Sequence, residues 1–209
     1  MPPIRRPAPA LPMVESAFLA SATALIFFIN FYFPLGPLLR MFFPIPIALA
    51  YLRWDRRAAI MTMIVTFLLL TVLMGPTRSI QFLIPHGFIG LFLGALWRRR
   101  SPWLASIFTG TVLGTLGSIF QLYLVSLLLG ENVWIYLTSQ AAKFVGWIMG
   151  LLGSLDEPQL LIVQIVTAGG IVFSSLMYMI LVHLVAWVLL ERLGNPISPA
   201  PQWVENLLD

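Results

Sequence analysis

Long apolar runs, separated by short polar or proline-containing stretches, dominate this chain. A helix needs on the order of 20 apolar residues to cross the hydrocarbon core of a bilayer. Six runs approach or exceed that length. The pattern therefore predicts an all-α, polytopic integral membrane protein with six transmembrane helices. The predicted spans are residues 14–33, 38–51, 58–74, 79–97, 103–129 and 159–190.

The second of these runs is the least regular. Residues 38–51 are too few for an ideal crossing, and Pro44 and Pro46 lie inside the run. Proline removes a backbone donor and bends or ends a helix. Two interpretations remain open: a kinked helix, or a helix that flanking residues complete.

The connection between the fifth and sixth runs, residues 131–158, has a different pattern. Its apolar residues recur at three- and four-residue steps, while Asn132, Gln140 and Lys143 fall elsewhere. This spacing is typical of an amphipathic helix that lies at the membrane interface or folds over the bundle. The apolar positions are Trp134, Leu137, Ala141, Phe144, Ile148 and Leu151.

Composition agrees with a lipid environment. Of the 209 residues, 59% are hydrophobic and 10% are charged, which is more apolar surface than one soluble core could bury. The length fits six helices with short connections and leaves no room for a soluble domain. We expect one transmembrane domain over residues 14–190, with cytoplasmic tails over residues 1–13 and 191–209.

The basic residues indicate how the chain is oriented. The sequence pI is 10.0, but the Arg and Lys residues cluster at the ends of apolar runs, so no nucleic-acid partner is expected. Nine of them fall on one side of the predicted topology and three on the other, which predicts that both termini are cytoplasmic. The membrane is expected to be a bacterial inner membrane or a thylakoid. The nine are Arg5, Arg6, Arg53, Arg56, Arg57, Arg98, Arg99, Arg100 and Arg192, and the three are Arg40, Arg78 and Lys143.

Catalytic and metal-binding patterns are missing from the sequence. There is no cysteine, no HExxH motif, no glycine-rich phosphate loop and no pair of acids within an apolar run. The two histidines, His86 and His183, are predicted in opposite halves of the membrane and are expected to pack against helices. We therefore expect a protein that is not an enzyme and has no metal site or cofactor.

Small residues repeat at four-residue steps on the first helix, at Ser16, Ala20 and Ala24. Such faces allow close approach of two helix backbones. They serve either packing within the chain or contact with another subunit, and a terminal helix is well placed for the second role. Similar repeats are Gly90 and Gly94 on the fourth helix and Gly110, Gly114 and Gly117 on the fifth.

Polar side chains from several runs fall in the predicted outer half of the membrane. Polar groups within a membrane are costly, and they usually face the bundle interior or a water-filled cavity. The set therefore favours an outward-facing pocket for a small solute, although helix ends are always richer in polar residues. The candidate ligand-binding residues are Arg40, Arg78, Gln81, His86, Gln121 and Gln164.

These features together resemble the YybS-like membrane proteins, which are similar to the S components of energy-coupling-factor (ECF) transporters. The resemblance rests on six helices, the Ala20-Ser-Ala-Thr-Ala24 stripe, the proline-broken second run and the amphipathic connection. Segments such as Phe43-Pro-Ile-Pro46, Gly75-Pro-Thr-Arg78 and Gly94-Ala-Leu-Trp-Arg-Arg99 are also family-like.

The resemblance implies a membrane-embedded subunit that binds a small solute for an ECF-type uptake transporter. It implies that Ala20 and Ala24 contact a transmembrane coupling subunit and that separate ATPases supply the energy. The amphipathic connection would then act as a lid. The alternative is a non-transport assembly factor or a structural subunit of a larger membrane complex, since one fold serves many functions.

Overall fold

A computed structural model describes residues 10–33, 37–151 and 158–198, and these residues form helices and connecting turns without a strand. A π-helical turn, Leu83–Gly87, joins the helices Pro76–Phe82 and Phe88–Arg98. The helices are α1 (Ala10–Tyr32), α2 (Pro37–Arg40), α3 (Ile45–Arg53), α4 (Arg56–Met74), α5 (Pro76–Phe82), α6 (Phe88–Arg98), α7 (Trp103–Leu129), α8 (Val133–Leu151) and α9 (Leu160–Arg192).

Five described helices are long and apolar enough to cross a membrane. They are α1, α4, the joined α5 and α6, α7 and α9. Each corresponds to a span predicted from the apolar runs and differs from it by only a few residues at either end. The helix predicted within residues 131–158 is present as α8, which packs on α7 and α9 with Val145 buried.

The predicted span at residues 38–51 is not one helix but two short ones, α2 and α3. Pro44 lacks the N–H that would continue α2, and Pro46 sits in the first turn of α3, where a missing N–H costs nothing. At nine residues, α3 is too short to cross a bilayer alone. Six full-length spans are therefore not found among the described residues.

Although it is short, α3 lies at the centre of the bundle. Ile47, Ala48 and Ala50 are fully buried, and α3 packs against α1, α4 and α6. The contact with α6 is close because of glycine: a Cβ at Gly90 would lie 2.7 Å from the Pro44 carbonyl oxygen, and one at Gly94 would lie 2.6 Å from Tyr51 Cβ. The small residues of the fourth predicted helix therefore serve packing within the chain.

The small-residue stripe of α1 is also used inside the chain. Ser16, Ala20 and Ala24 are buried, and α1 packs along α4. The Thr66 hydroxyl of α4, which donates to the Thr62 carbonyl oxygen at 2.8 Å, lies 3.3 Å from the Ala20 carbonyl oxygen. Of the two roles expected for this stripe, packing within the chain is the one that the contact with α4 supports.

One end of the bundle gathers the start of α1 and the end of α9. The Glu15 carboxylate pairs with Arg53 and accepts a 2.7 Å hydrogen bond from Trp54 Nε1. Arg53 also lies 3.5 Å from the Leu193 carbonyl oxygen. We call this region the Glu15 end of the bundle. Parts of the predicted tails, residues 1–9 and 199–209, and residues 152–157 of the last connection lie outside the described residues.

Candidate functional site

A break between α5 and α6 shapes the interior of the bundle. Ile84 has non-helical backbone angles, φ −115° and ψ 106°. The next residue is Pro85, and a proline pushes the residue before it out of the helical region. Pro85 is buried against α7 at Gly117, where a Cβ would overlap the proline ring. The glycine of α7 thus makes room for the break.

The break leaves backbone carbonyl groups without helical donors, and Gln121 of α7 satisfies them. In a regular helix the Gln81 carbonyl would accept from the N–H of residue 85, but Pro85 has none. Gln121 Nε2 donates instead, at 2.9 Å from the Gln81 oxygen and 3.4 Å from the Ile84 oxygen. One side chain therefore stabilises the break from a neighbouring helix.

His86 follows the break and joins a chain of hydrogen bonds to Arg40. The Tyr178 hydroxyl of α9 donates to the Arg40 carbonyl oxygen at 3.0 Å. Because its one proton is used there, the hydroxyl oxygen accepts from His86 Nδ1, 3.1 Å away. His86 Nδ1 therefore carries a proton in this arrangement, and the ring is further held edge-on by Phe43, with centroids 5.0 Å apart.

A cavity of about 290 Å³ lies beside this chain of hydrogen bonds. Its lining combines one cation with several neutral hydrogen-bonding groups and an apolar wall, and no Asp or Glu of the described residues takes part. The lining residues are Arg40, Pro85, His86, Ile89, Gly114, Ser118, Gln121, Ser174, Ser175, Met177, Tyr178 and Leu181.

The cavity lies within the bundle, toward the end opposite to Glu15. A rise of 1.5 Å per residue puts Tyr178 roughly 21 Å along α9 from its end at Arg192. The hydrocarbon core of a bilayer is about 30 Å thick, so Tyr178 lies within it and nearer the end opposite to Glu15. The hydrogen bond from Tyr178 holds the Arg40 backbone carbonyl at the same level. Arg40 is an exposed residue and lines the cavity.

The structure brings three of the six predicted site residues together, since Arg40, His86 and Gln121 line the cavity. Arg78 and Gln81 lie next to it and bond to each other, with Arg78 Nη1 3.0 Å from Gln81 Oε1. Gln164 is exposed on α9 and lines none of the cavity.

Sequence reasoning missed the polar groups of α9 that complete the lining. Ser174, Ser175 and Tyr178 fall at three- and four-residue steps in an otherwise apolar helix, so they share one face. A search restricted to charged, amide and imidazole side chains overlooks them. Hydroxyl groups spaced in this way along an apolar run are the signal that could have found them.

The second histidine lies elsewhere. His183 is buried near the Glu15 end, between Trp97 and Trp103, with its Nε2 3.4 Å from Trp97 Nε1. Its Nδ1 lies 2.8 Å from the Met179 carbonyl oxygen. The two histidines are thus in different parts of the bundle. In the part of the chain that the structure describes, no three His, Asp or Glu side chains are grouped so that they could hold a metal ion.

Comparison with known proteins shows that residues 21–206 match a family described as "Predicted membrane protein (DUF2232)". The match runs from within α1 to beyond the end of α9. No curated protein and no solved structure matches the chain. The family match agrees with a membrane protein of several apolar helices, and the finer resemblance to YybS-like proteins and S components stays a prediction.

Proposed function

This chain belongs to the DUF2232 family of predicted membrane proteins, and from that premise we propose that it is a membrane-embedded subunit that binds a small anionic solute. In this proposal the chain performs no catalytic step of its own. It presents a cavity in which a solute is held by one cation and several hydrogen-bond donors.

The observation that carries the proposal is the position of Arg40. Arg40 lines the cavity, and the described lining has no acid to neutralise its charge. A guanidinium without an acid beside it can pair with an anionic solute. Charge-assisted hydrogen bonds from Arg to a carboxylate or phosphate are among the strongest that proteins make.

We further propose that solute enters from the end opposite to Glu15 and that the Glu15 end is cytoplasmic. The clusters at Arg56 and Arg57 and at Arg98 to Arg100 flank helix ends on the Glu15 side, which the positive-inside rule assigns to the cytoplasm. Uptake would then need a coupling subunit and ATPases, as in ECF transporters. Because Ala20 is buried against α4, such a subunit would dock on a surface other than the α1 stripe.

A ligand-dependent melting experiment tests binding. Protein purified in detergent is heated with a panel of vitamins, metal ions, small carboxylates and small phosphates. A ligand at one hundred times its Kd stabilises the folded state by about 2.7 kcal/mol, which raises Tm. We expect an anion to do so for the native chain and for Lys143→Gln, and not for Arg40→Gln. Lys143 is a matched control because it is exposed on α8 and lines no part of the cavity.

A panel that produces no shift, or an equal shift with Arg40→Gln, contradicts the proposal. Affinity purification from native membranes then separates uptake from the rival role. A coupling subunit with ATPases in the eluate supports the transport assignment. Respiratory, photosynthetic or envelope-building proteins in their place support an assembly or structural role.

A further inference from the structure

A wider groove of about 780 Å³ runs between α7, α8 and α9. Its walls are mainly apolar and include Leu122 and Val125 of α7, Leu137 and Phe144 of α8, and Ile171 of α9. Gly170 also lines it, and a Cβ built there would meet no atom within 4 Å. The groove therefore has open space beside α9.

The groove and the Arg40 cavity adjoin each other. Ser118, Gln121 and Ser174 line both of them. A molecule that extends from one to the other would pass from a cationic, hydrogen-bonding chamber, across three small or neutral polar side chains, into an apolar channel. The polar cavity and the apolar groove match the two parts of an amphiphile, a charged head group and an apolar tail.

We propose that the ligand of this protein is an anionic amphiphile, with its charged head group at Arg40 and its hydrocarbon tail in the groove between α7, α8 and α9. The inference rests on the proposed function, because it assigns the substrate class of the same site. The head group is a carboxylate or a phosphate monoester, since both offer the paired oxygen acceptors that a guanidinium binds.

The apolar groove beside the cavity favours an amphiphile over a water-soluble anion. A tail that already lies in the bilayer can slide along the groove without contacting water, while its head group enters the polar chamber. Neither lining contains an Asp or Glu of the described residues, so no carboxylate repels an anionic head. The lining offers Gln140 and Thr167 as further neutral polar groups, and the rest of the channel stays apolar.

The test compares probes that differ only in tail or head. The full chain in lipid nanodiscs is equilibrated with decyl phosphate, methyl phosphate, decanoate, acetate or decanol, and native mass spectrometry counts the bound molecules. We expect a decyl anion to bind at least about tenfold more tightly than its one- or two-carbon analogue. Decanol should not bind, because it has no charge for Arg40. Whether the phosphate or the carboxylate binds identifies the head group.

Two adjacent glycines give a matched pair of variants. Gly170→Phe should fill the groove and abolish the advantage of the long tail. Gly169→Phe should preserve it, because Gly169 is exposed, has the same open surroundings and lines neither cavity. Gly170→Leu serves as a smaller filling variant if Gly170→Phe does not elute as a single species.

The outcomes separate the inference from the proposed function. Equal affinity for long and short anions, with no effect of either filling variant, overturns the amphiphile and leaves a small-anion site intact. Binding of decyl phosphate that survives both Arg40→Gln and Gly170→Phe is partitioning into lipid and overturns the inference, as does equal binding of decanol. Failure of every anion to bind overturns both proposals.

Discussion

Gln121 illustrates how one side chain can serve both the backbone and the cavity. Its amide nitrogen donates to the Gln81 carbonyl that Pro85 leaves without a helical partner. The same residue lines the cavity and the groove. An amide is suited to this position, because it can donate to the backbone while its oxygen stays available to a ligand or to water.

We predict that Gln121→Leu destabilises the protein even without ligand. The substitution leaves the half-buried Gln81 carbonyl without a donor, which costs about 1 kcal/mol or more. The measurement is the free energy of unfolding from SDS titration in mixed micelles. Gln164→Leu is the control, because Gln164 is exposed on α9, and its effect should stay within about 0.5 kcal/mol. Equal effects of the two substitutions would show that the amide does not stabilise the break.

This dual role explains why the sequence predicted the candidate site only in part. Polarity within an apolar run correctly marks a residue as one that needs a partner. It does not reveal whether that partner is a ligand, a backbone carbonyl or a neighbouring side chain. Arg78 and Gln81 bond to each other, and Gln164 is exposed, although all three have the same sequence signature as Arg40.

At the scale of the helix, the apolar runs predicted the observed bounds of α7 and the bounds of four other long helices to within a few residues. Run length is informative there because each span must satisfy its backbone hydrogen bonds within itself. It fails at residues 38–51 because α3 is shielded by other helices instead of lipid. A helix that is surrounded by protein does not need the length of the bilayer.

Close packing of α3 on α6 leads to a second prediction. A Cβ at Gly94 would lie 2.6 Å from Tyr51 Cβ and 3.1 Å from the Ala48 carbonyl oxygen, so Gly94→Ala forces the helices apart. We expect a loss of about 1–3 kcal/mol in the free energy of unfolding. Gly146→Ala on α8 is the control: nothing lies within 4 Å, and alanine should gain up to about 1 kcal/mol of helix propensity.

A neutral Gly94→Ala substitution would mean that α3 and α6 are not in such close contact. The substitution also concerns the site, because a short turn joins α3 to Arg40, the last residue of α2. A displacement of α3 is therefore expected to weaken anion binding, while Gly146→Ala leaves it unchanged.

At the scale of the whole molecule, the contacts of Glu15, Arg53 and Leu193 hold the start of α1 and the end of α9 at one end of the bundle. Trp103 Nε1, at the start of α7, also lies 2.9 Å from the Ser198 carbonyl oxygen. The described residues therefore begin and end at the same end of the bundle. This shared position of the two chain ends is independent of the charge count that predicted cytoplasmic termini. One labelling experiment can therefore test both the crossing of α7 and the orientation of the chain.

The sequence has no cysteine, so any thiol labelled on this chain is an introduced one, which makes the test direct. We predict that a membrane-impermeant maleimide labels Glu131→Cys in intact cells, whereas Arg99→Cys reacts only after permeabilisation. Both positions are exposed and lie at opposite ends of α7 or next to them. Because the two positions are similarly exposed, a difference in their reactivity shows that they lie on opposite sides of the membrane. The opposite result would reverse the orientation and place the solute entrance in the cytoplasm, while reaction of both in intact cells would contradict α7 as a crossing helix.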